Sequence, residues 1–182
     1  MQFISLIESL QKHGEQFSSE KVHCDNTINL IEKFSDQAFI NQNWSGHITA
    51  SMLIMNTEKT KVLLMFHKKL QLWLQFGGHS DWDSDTLSTA IREFHEESGI
   101  SMGPEINGGI FDVDVHDIPA DLKWRPDHQH YDILYLWIIP EDTPFAMQVD
   151  EVDDIRWFDI EWISEYVGEK RMLNMMEKIK TL

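Results

Sequence analysis

Apolar positions recur along this chain with two periods, and the change from one to the other divides it. Phe3, Leu6, Ile7 and Leu10 fall at i, i+3, i+4 and i+7, which predicts a first helix. Ile28, Leu30, Ile31, Phe34 and Phe39 carry a second helical pattern, with Ser18, Ser19 and Glu20 as its start signal. From Gly46 the pattern becomes that of strands. Two apolar runs, His47–Met55 and Lys61–His67, flank polar Asn56–Thr60, which predicts a hairpin. Leu72, Leu74 and Phe76 alternate and lead directly into Gly77 and Gly78. Gly103-Pro104 and Asn107-Gly108-Gly109 mark turns before a further alternating run, Ile110–His116. That run sets Phe111, Val113 and Val115 on one side and Asp112, Asp114 and His116 on the other. Ile118–Asp127 holds two prolines and reads as a loop. Residues 131–139, YDILYLWII, are apolar almost throughout, as a central strand covered on both faces would be. Ile155, Trp157 and Phe158 predict a last short strand, and the chain from Ile160 predicts one or two closing helices.

Between the glycine pair and the turns lies the stretch that carries chemistry. Leu87, Ala90, Ile91 and Phe94 repeat at helical spacing, with Asp83, Ser84 and Asp85 as N-cap candidates and Gly99 as the C-terminal stop. The same helix carries Glu93, Glu96 and Glu97, about a third of a turn from the apolar stripe. Like charges at i, i+4 near the negative end of a helix dipole each cost a few tenths of a kcal/mol. A hard divalent cation relieves that conflict, because Mg2+ takes oxygen ligands shared between a few carboxylates and phosphates. Taken alone, the three glutamates read more readily as a solvated acidic face softened by Arg92 and His95.

They do not stand alone. Gly78, Arg92, Glu93, Phe94, Glu96, Glu97, Gly99 and Ile100 fall at the spacing G-x13-R-E-U-x-E-E-x-G-U, where U is bulky and apolar. This resembles the Nudix box over Gly78–Ile100. Every defined position matches but one: Ser84 stands where the family has Glu, flanked out of register by Asp83 and Asp85. The resemblance extends over roughly residues 45 to 165. It implies an α/β/α sandwich with a mixed sheet, preceded here by an N-terminal helical extension. The boundaries it suggests are 1–42 for the extension and 43–182 for the hydrolase domain. The extension has three open roles: packing on a sheet edge, shaping the substrate pocket, or forming a homodimer contact. The plainest is to cover core surface.

The resemblance further implies catalytic roles for Arg92, Glu93, Glu96 and Glu97, with the three glutamates holding Mg2+, or Mn2+ in its place. A backbone carbonyl at Gly77 and the carboxylate of Glu151 are further metal candidates by the same resemblance. His128, His130 and Tyr131 are candidates for substrate contact. If the chain is extended there, His128, His130 and Asp132 share one face, a geometry open to a second metal as well as to substrate. Trp82, Trp124 and Tyr131 could stack on a base, although packing is the plainer assignment for each.

Composition narrows the partners. The 182 residues allow one sizeable domain, and a net charge of -16 argues against nucleic acid or an anionic membrane as partner. A single cysteine, Cys24, allows no internal disulfide and points to a reducing cytoplasm. No basic leader segment opens the sequence, and no apolar run approaches a membrane span. The resulting expectation is a Mg2+-dependent cytoplasmic hydrolase of a nucleoside diphosphate linked to another group. Its alternative is a nucleotide-binding module with the same fold and weak or lost turnover, suggested by Ser84. Isopentenyl diphosphate isomerase shares the fold but uses an active-site cysteine, and Cys24 lies far from the box in sequence.

Overall fold

The structure is a computed structural model and describes residues 3–100, 109–120, 125–146, 152–168 and 170–181. The elements are α1 (Ile4–Gln16), α2 (Lys21–Phe34), β1 (His47–Asn56), β2 (Lys61–His67), β3 (Leu72–Leu74), β4 (Phe76–His79), α3 (Thr86–Ser98), β5 (Asp112–Ile118), β6 (His128–Ile139), β7 (Val152–Asp159) and α4 (Lys170–Ile179). Short 3-10 turns lie at Ser35–Phe39 and Ile163–Glu165. The fold is α/β with a mixed sheet, strand order β3-β2-β1-β6-β5, with β4 paired to β1 and β7 to β2. The chain forms two compact units, divided within β1, β4, α3 and β6.

The first unit takes Met1–Ser51, Gly77–Ala90 and Gly108–Tyr135. Leu10 of α1 and Cys24, Ile28 and Ile31 of α2 are buried, as the helical periodicity predicts. The second helix is shorter than its apolar pattern. It ends at Phe34 because Ser35 turns to φ +51, and Phe39 is buried from the 3-10 turn instead. Its start also differs from expectation: Glu20 precedes the first turn, and no side chain caps it. The Glu20 carboxylate is engaged elsewhere, accepting from the Val113 amide at 3.1 Å and meeting His13 Nε2 at 2.6 Å. His23 Nδ1 accepts from the Val115 amide at 2.8 Å. Glu20, just before α2, and His23 within it therefore satisfy amides of β5, the last strand in the order, which would otherwise face outward as an open edge.

Strand β5 begins and ends two residues later than the sequence pattern suggests, and β6 begins three residues earlier, at His128. The antiparallel pairing explains both shifts, since Ile118 pairs with His128 and His116 with His130. Cross-strand hydrogen bonding pulls the His128–His130 segment into the ladder, which intrinsic pattern alone does not reveal.

The second unit takes Met52–Phe76, Ile91–Asn107 and Leu136–Leu182. Strand β2 occupies the predicted Lys61–His67 and lies between β3 and β7 in register Met65↔Leu74 and Met65↔Ile155. The predicted hairpin is closed by Asn56, whose side-chain oxygen accepts from the Thr60 and Lys61 amides at 2.8 Å each. Trp73 packs edge-on against Phe158 at 4.7 Å between ring centroids. Helix α4 buries Met172, Met175, Met176 and Ile179 on one stripe. Among the described residues no helix is long and apolar enough to cross a membrane.

Candidate functional site

Helix α3 is fixed at both ends and by one ring in its middle. Asp85 Oδ1 accepts from the Ser88 amide at 3.1 Å, an N-cap bond, so of the three predicted cap candidates Asp85 is the one used. Asp83 instead accepts from the Asp85 amide at 2.9 Å and shapes the entry turn. At the other end Gly99 takes φ +68 and donates to the His95 carbonyl at 3.0 Å, as a C-terminal stop should. Phe94 sits edge-to-face with Phe76 at 4.9 Å and with Trp137 at 5.4 Å. Those contacts set the rotation of the helix about its axis, and hence where its carboxylates point.

The rotation differs from the one the apolar stripe suggests. Ala90 and Phe94 are buried, but Leu87 and Ile91 are half-exposed, and the buried face passes through Thr86, Thr89 and Glu97. Glu97 is only 5% exposed, whereas Glu96 projects to solvent with 59% of its side chain exposed. Glu93 is shielded, at 12%. Arg92 Nη1 bridges the pair on its own turn, 2.8 Å from Glu93 Oε1 and 3.1 Å from Glu96 Oε2. The donor set is thus oxygen throughout and partly withdrawn from water. That chemistry fits a hard divalent ion such as Mg2+ or Mn2+ and does not suit a soft metal.

A second constellation lies within the first unit, and two glycines build it. Gly46 has φ +125, and a Cβ there would stand 2.6 Å from the Tyr131 ring, so only glycine lets the start of β1 approach β6. Gly77 has φ +146, and its Cβ would meet Ser51 Oγ at 2.5 Å and the Ala50 carbonyl at 2.6 Å, so only glycine lets β4 lie against β1. Each glycine thereby delivers a histidine, His47 one residue later and His79 two residues later. These two rings stand 5.2 Å apart by centroid, and His130 of β6 lies 4.7 Å from His47 and 5.4 Å from His79. His128 stacks on His47 at 5.1 Å, and His116 of β5 lies 5.7 Å from His130.

Burial governs the charge of His47 and His130. Loss of water, and then His79 beside it, lowers His47 to about 4. Burial, followed by the neighbouring His47 and His79, lowers His130 to about 2. Both imidazoles are neutral at physiological pH. Among the described residues, Nε2 of each is buried without a hydrogen-bond partner.

The structure thus brings His128 and His130 together on one face of β6, as their spacing predicts. Asp132 shares that face but is used internally, accepting from Thr49 Oγ1 at 2.9 Å and Ser51 Oγ at 2.8 Å. Tyr131 points to the opposite face and donates its hydroxyl to Gln129 Oε1 at 3.1 Å. Trp82 is 68% exposed at φ +78. Glu151 and Trp124 lie outside the described residues, as do the turns predicted at Gly103-Pro104 and Asn107-Gly108. Sequence reasoning missed His47 and His79 as partners of His130. The available signal was that each follows a glycine within two residues at a strand end.

Comparison with known proteins places these features. A family model described as the NUDIX domain matches residues 46–179. A protein of Lactococcus lactis subsp. cremoris described as "Probable DHNTP pyrophosphohydrolase" is 35% identical over 115 residues, 63% of this chain and 67% of that one. "Phosphatase NudJ" of Escherichia coli K12 is 27% identical over 99 residues, 54% of this chain and 49% of its own. The chain therefore spans about two thirds of the first relative and about half of the second. Among solved structures, the MutT protein of Methanosarcina mazei Go1 superposes with a TM-score of 0.61 at 17% identity, over 78% of this chain and 97% of that one. That likeness establishes the fold, and the family model, covering most of the chain, establishes the kinship: the chain belongs to the Nudix hydrolase family.

Proposed function

We propose that this chain is a Mg2+-dependent pyrophosphohydrolase. It cleaves the diphosphate linkage of a nucleoside diphosphate bonded to a second group and releases a nucleoside monophosphate. The observation that carries the reading is the partly shielded carboxylate set of α3, with Glu97 withdrawn from solvent and Arg92 bridging Glu93 and Glu96. Glu93, Glu96 and Glu97 hold the metal, with the Gly77 carbonyl and Glu151 as further ligands. Bound Mg2+ supplies neutralisation of phosphate charge and a more acidic water. Arg92 orients its two glutamates, and one carboxylate of the set takes the proton of the attacking water. Substrate contacts are assigned to His128, His130 and Tyr131. The two histidines, on one face of β6, are the stronger pair. The hydrolase domain is assigned to residues 43–182, and the protein to the cytoplasm.

The test is a hydrolysis screen with Mg2+ and with Mn2+ across DHNTP, ADP-ribose, nucleotide sugars, dinucleoside polyphosphates, NADH, coenzyme A and nucleoside triphosphates. Glu96→Gln and Glu97→Gln are expected to lose roughly 100-fold or more in activity, in line with the cost of disturbing a metal site, and to keep the native circular dichroism. Full turnover in both variants would refute the assigned site. Ligand-induced thermal stabilisation without turnover would favour the binding module that Ser84 suggests.

A further inference from the structure

Three imidazoles whose ring nitrogens converge from β1, β4 and β6 have a use besides packing. His47, His79 and His130 each offer one ring nitrogen, and these atoms all lie within 4.8 Å of one another. A tetrahedral ion at about 2.0–2.1 Å from its ligands spaces them roughly 3.4 Å apart, so small side-chain rotations close the set. His47 Nδ1 faces the Asn43 carbonyl at 3.4 Å. A carbonyl can only accept, so Nδ1 carries the proton and the Nε2 lone pair is left over. Metal-binding histidines are oriented in this way, one nitrogen donating to a carbonyl and the other ligating. Buried polar atoms nearly always find partners, and among the described residues Nε2 of both His47 and His130 has no hydrogen-bond partner, which leaves both nitrogens open to ligation.

We propose that His47, His79 and His130 form a transition-metal site of the Zn2+ class, built within the first unit and distinct in donor type from the carboxylates of α3. Nitrogen donors select Zn2+ and its neighbours over Mg2+. Three protein ligands leave a fourth position for water or a substrate oxygen, the composition of an open zinc site. Gly46 and Gly77 hold the set together, because each permits the close strand approach that delivers a ligand. This inference does not rest on the hydrolase reading and survives its failure.

Co2+ reports the site directly, since its visible absorption distinguishes a tetrahedral nitrogen-rich environment from an octahedral oxygen one. Purified protein stripped of metal and titrated with Co2+ should develop intense tetrahedral bands at one equivalent, and Zn2+ should displace them. His79→Ala and His130→Ala should abolish the bands. Each should weaken Zn2+ binding by more than the ~10–100-fold that loss of an outer-shell partner costs. Glu97→Gln should leave the tetrahedral bands unchanged. Should His130→Ala fail to fold by circular dichroism, His79→Ala, at a half-exposed position, still decides. Absence of tetrahedral bands in the unmodified protein, their persistence in folded His79→Ala, or their loss in Glu97→Gln would each overturn the proposal.

Discussion

Tyr135 shows how one buried group couples stability to pH. Its hydroxyl lies 2.7 Å from Thr86 Oγ1, and burial pushes the phenol up to about 12. An unfolded phenol titrates near 10, so between about pH 10 and 12 the unfolded chain loses a proton that the folded chain keeps. The contribution is therefore complete below the unfolded value and is lost as pH rises through the folded one. Its size is of order 2–3 kcal/mol at the alkaline end. Denaturant unfolding of Tyr135→Phe should show a shallower alkaline loss than the unmodified protein. Near neutrality the variant should be about 1–3 kcal/mol less stable, because the buried Thr86 hydroxyl loses its partner. Identical alkaline slopes would show that other groups set that limb. Ser84 poses the opposite kind of question, since it sits half-exposed just before the N-cap of α3 and is replaced in the family pattern by Glu. Ser84→Glu is expected to retain or raise hydrolysis, and a large loss would show a site rebuilt around serine.

At the scale of elements, the N-terminal helices matter through β5. Glu20 and His23 of the α2 region accept the Val113 and Val115 amides, groups that would otherwise offer an open strand edge. Glu20→Ala should cost about 1–3 kcal/mol and promote self-association with increasing concentration, measurable by denaturation and light scattering. A monomeric variant of unchanged stability would mean that the edge is protected by other means. This contact also shows where the sequence was legible. Local rules sufficed for β2, for the Asn56 hairpin and for both caps of α3, because period, turn chemistry and glycine conformation act within a few residues. They failed where distant partners decide. Helix α2 starts without a serine cap, β6 runs back to His128 through pairing with β5, and α3 turns Glu97 inward because Phe94 wedges against Phe76 and Trp137. The carboxylates of the candidate site were legible as a spaced motif. The histidine set was not, since two positive-φ glycines gather it from three separate strands.

At the scale of the molecule, charge acts on every encounter with substrate. With 15 Lys and Arg against 31 Asp and Glu, the net charge of -16 repels any phosphate-bearing ligand. The range of that repulsion is set by salt, about 30 Å at 0.01 M and about 8 Å at 0.15 M. Association between like charges therefore speeds up as salt is added, the reverse of electrostatic steering, whose effects on rate run from about 10-fold upward. At saturating Mg2+, kcat/KM for an anionic nucleotide should rise a few-fold over that range while kcat stays level. The slope should be steeper for a triphosphate than for a diphosphate-linked substrate, because repulsion scales with ligand charge. Metal must be held saturating, since added salt also weakens cation binding and would mask the trend. A kcat/KM that falls with salt would mean that local cations, such as Arg92 or an ion already seated on the histidines, outweigh the field of the whole protein. That result would make the approach to the site electrostatically favourable despite the acidic surface.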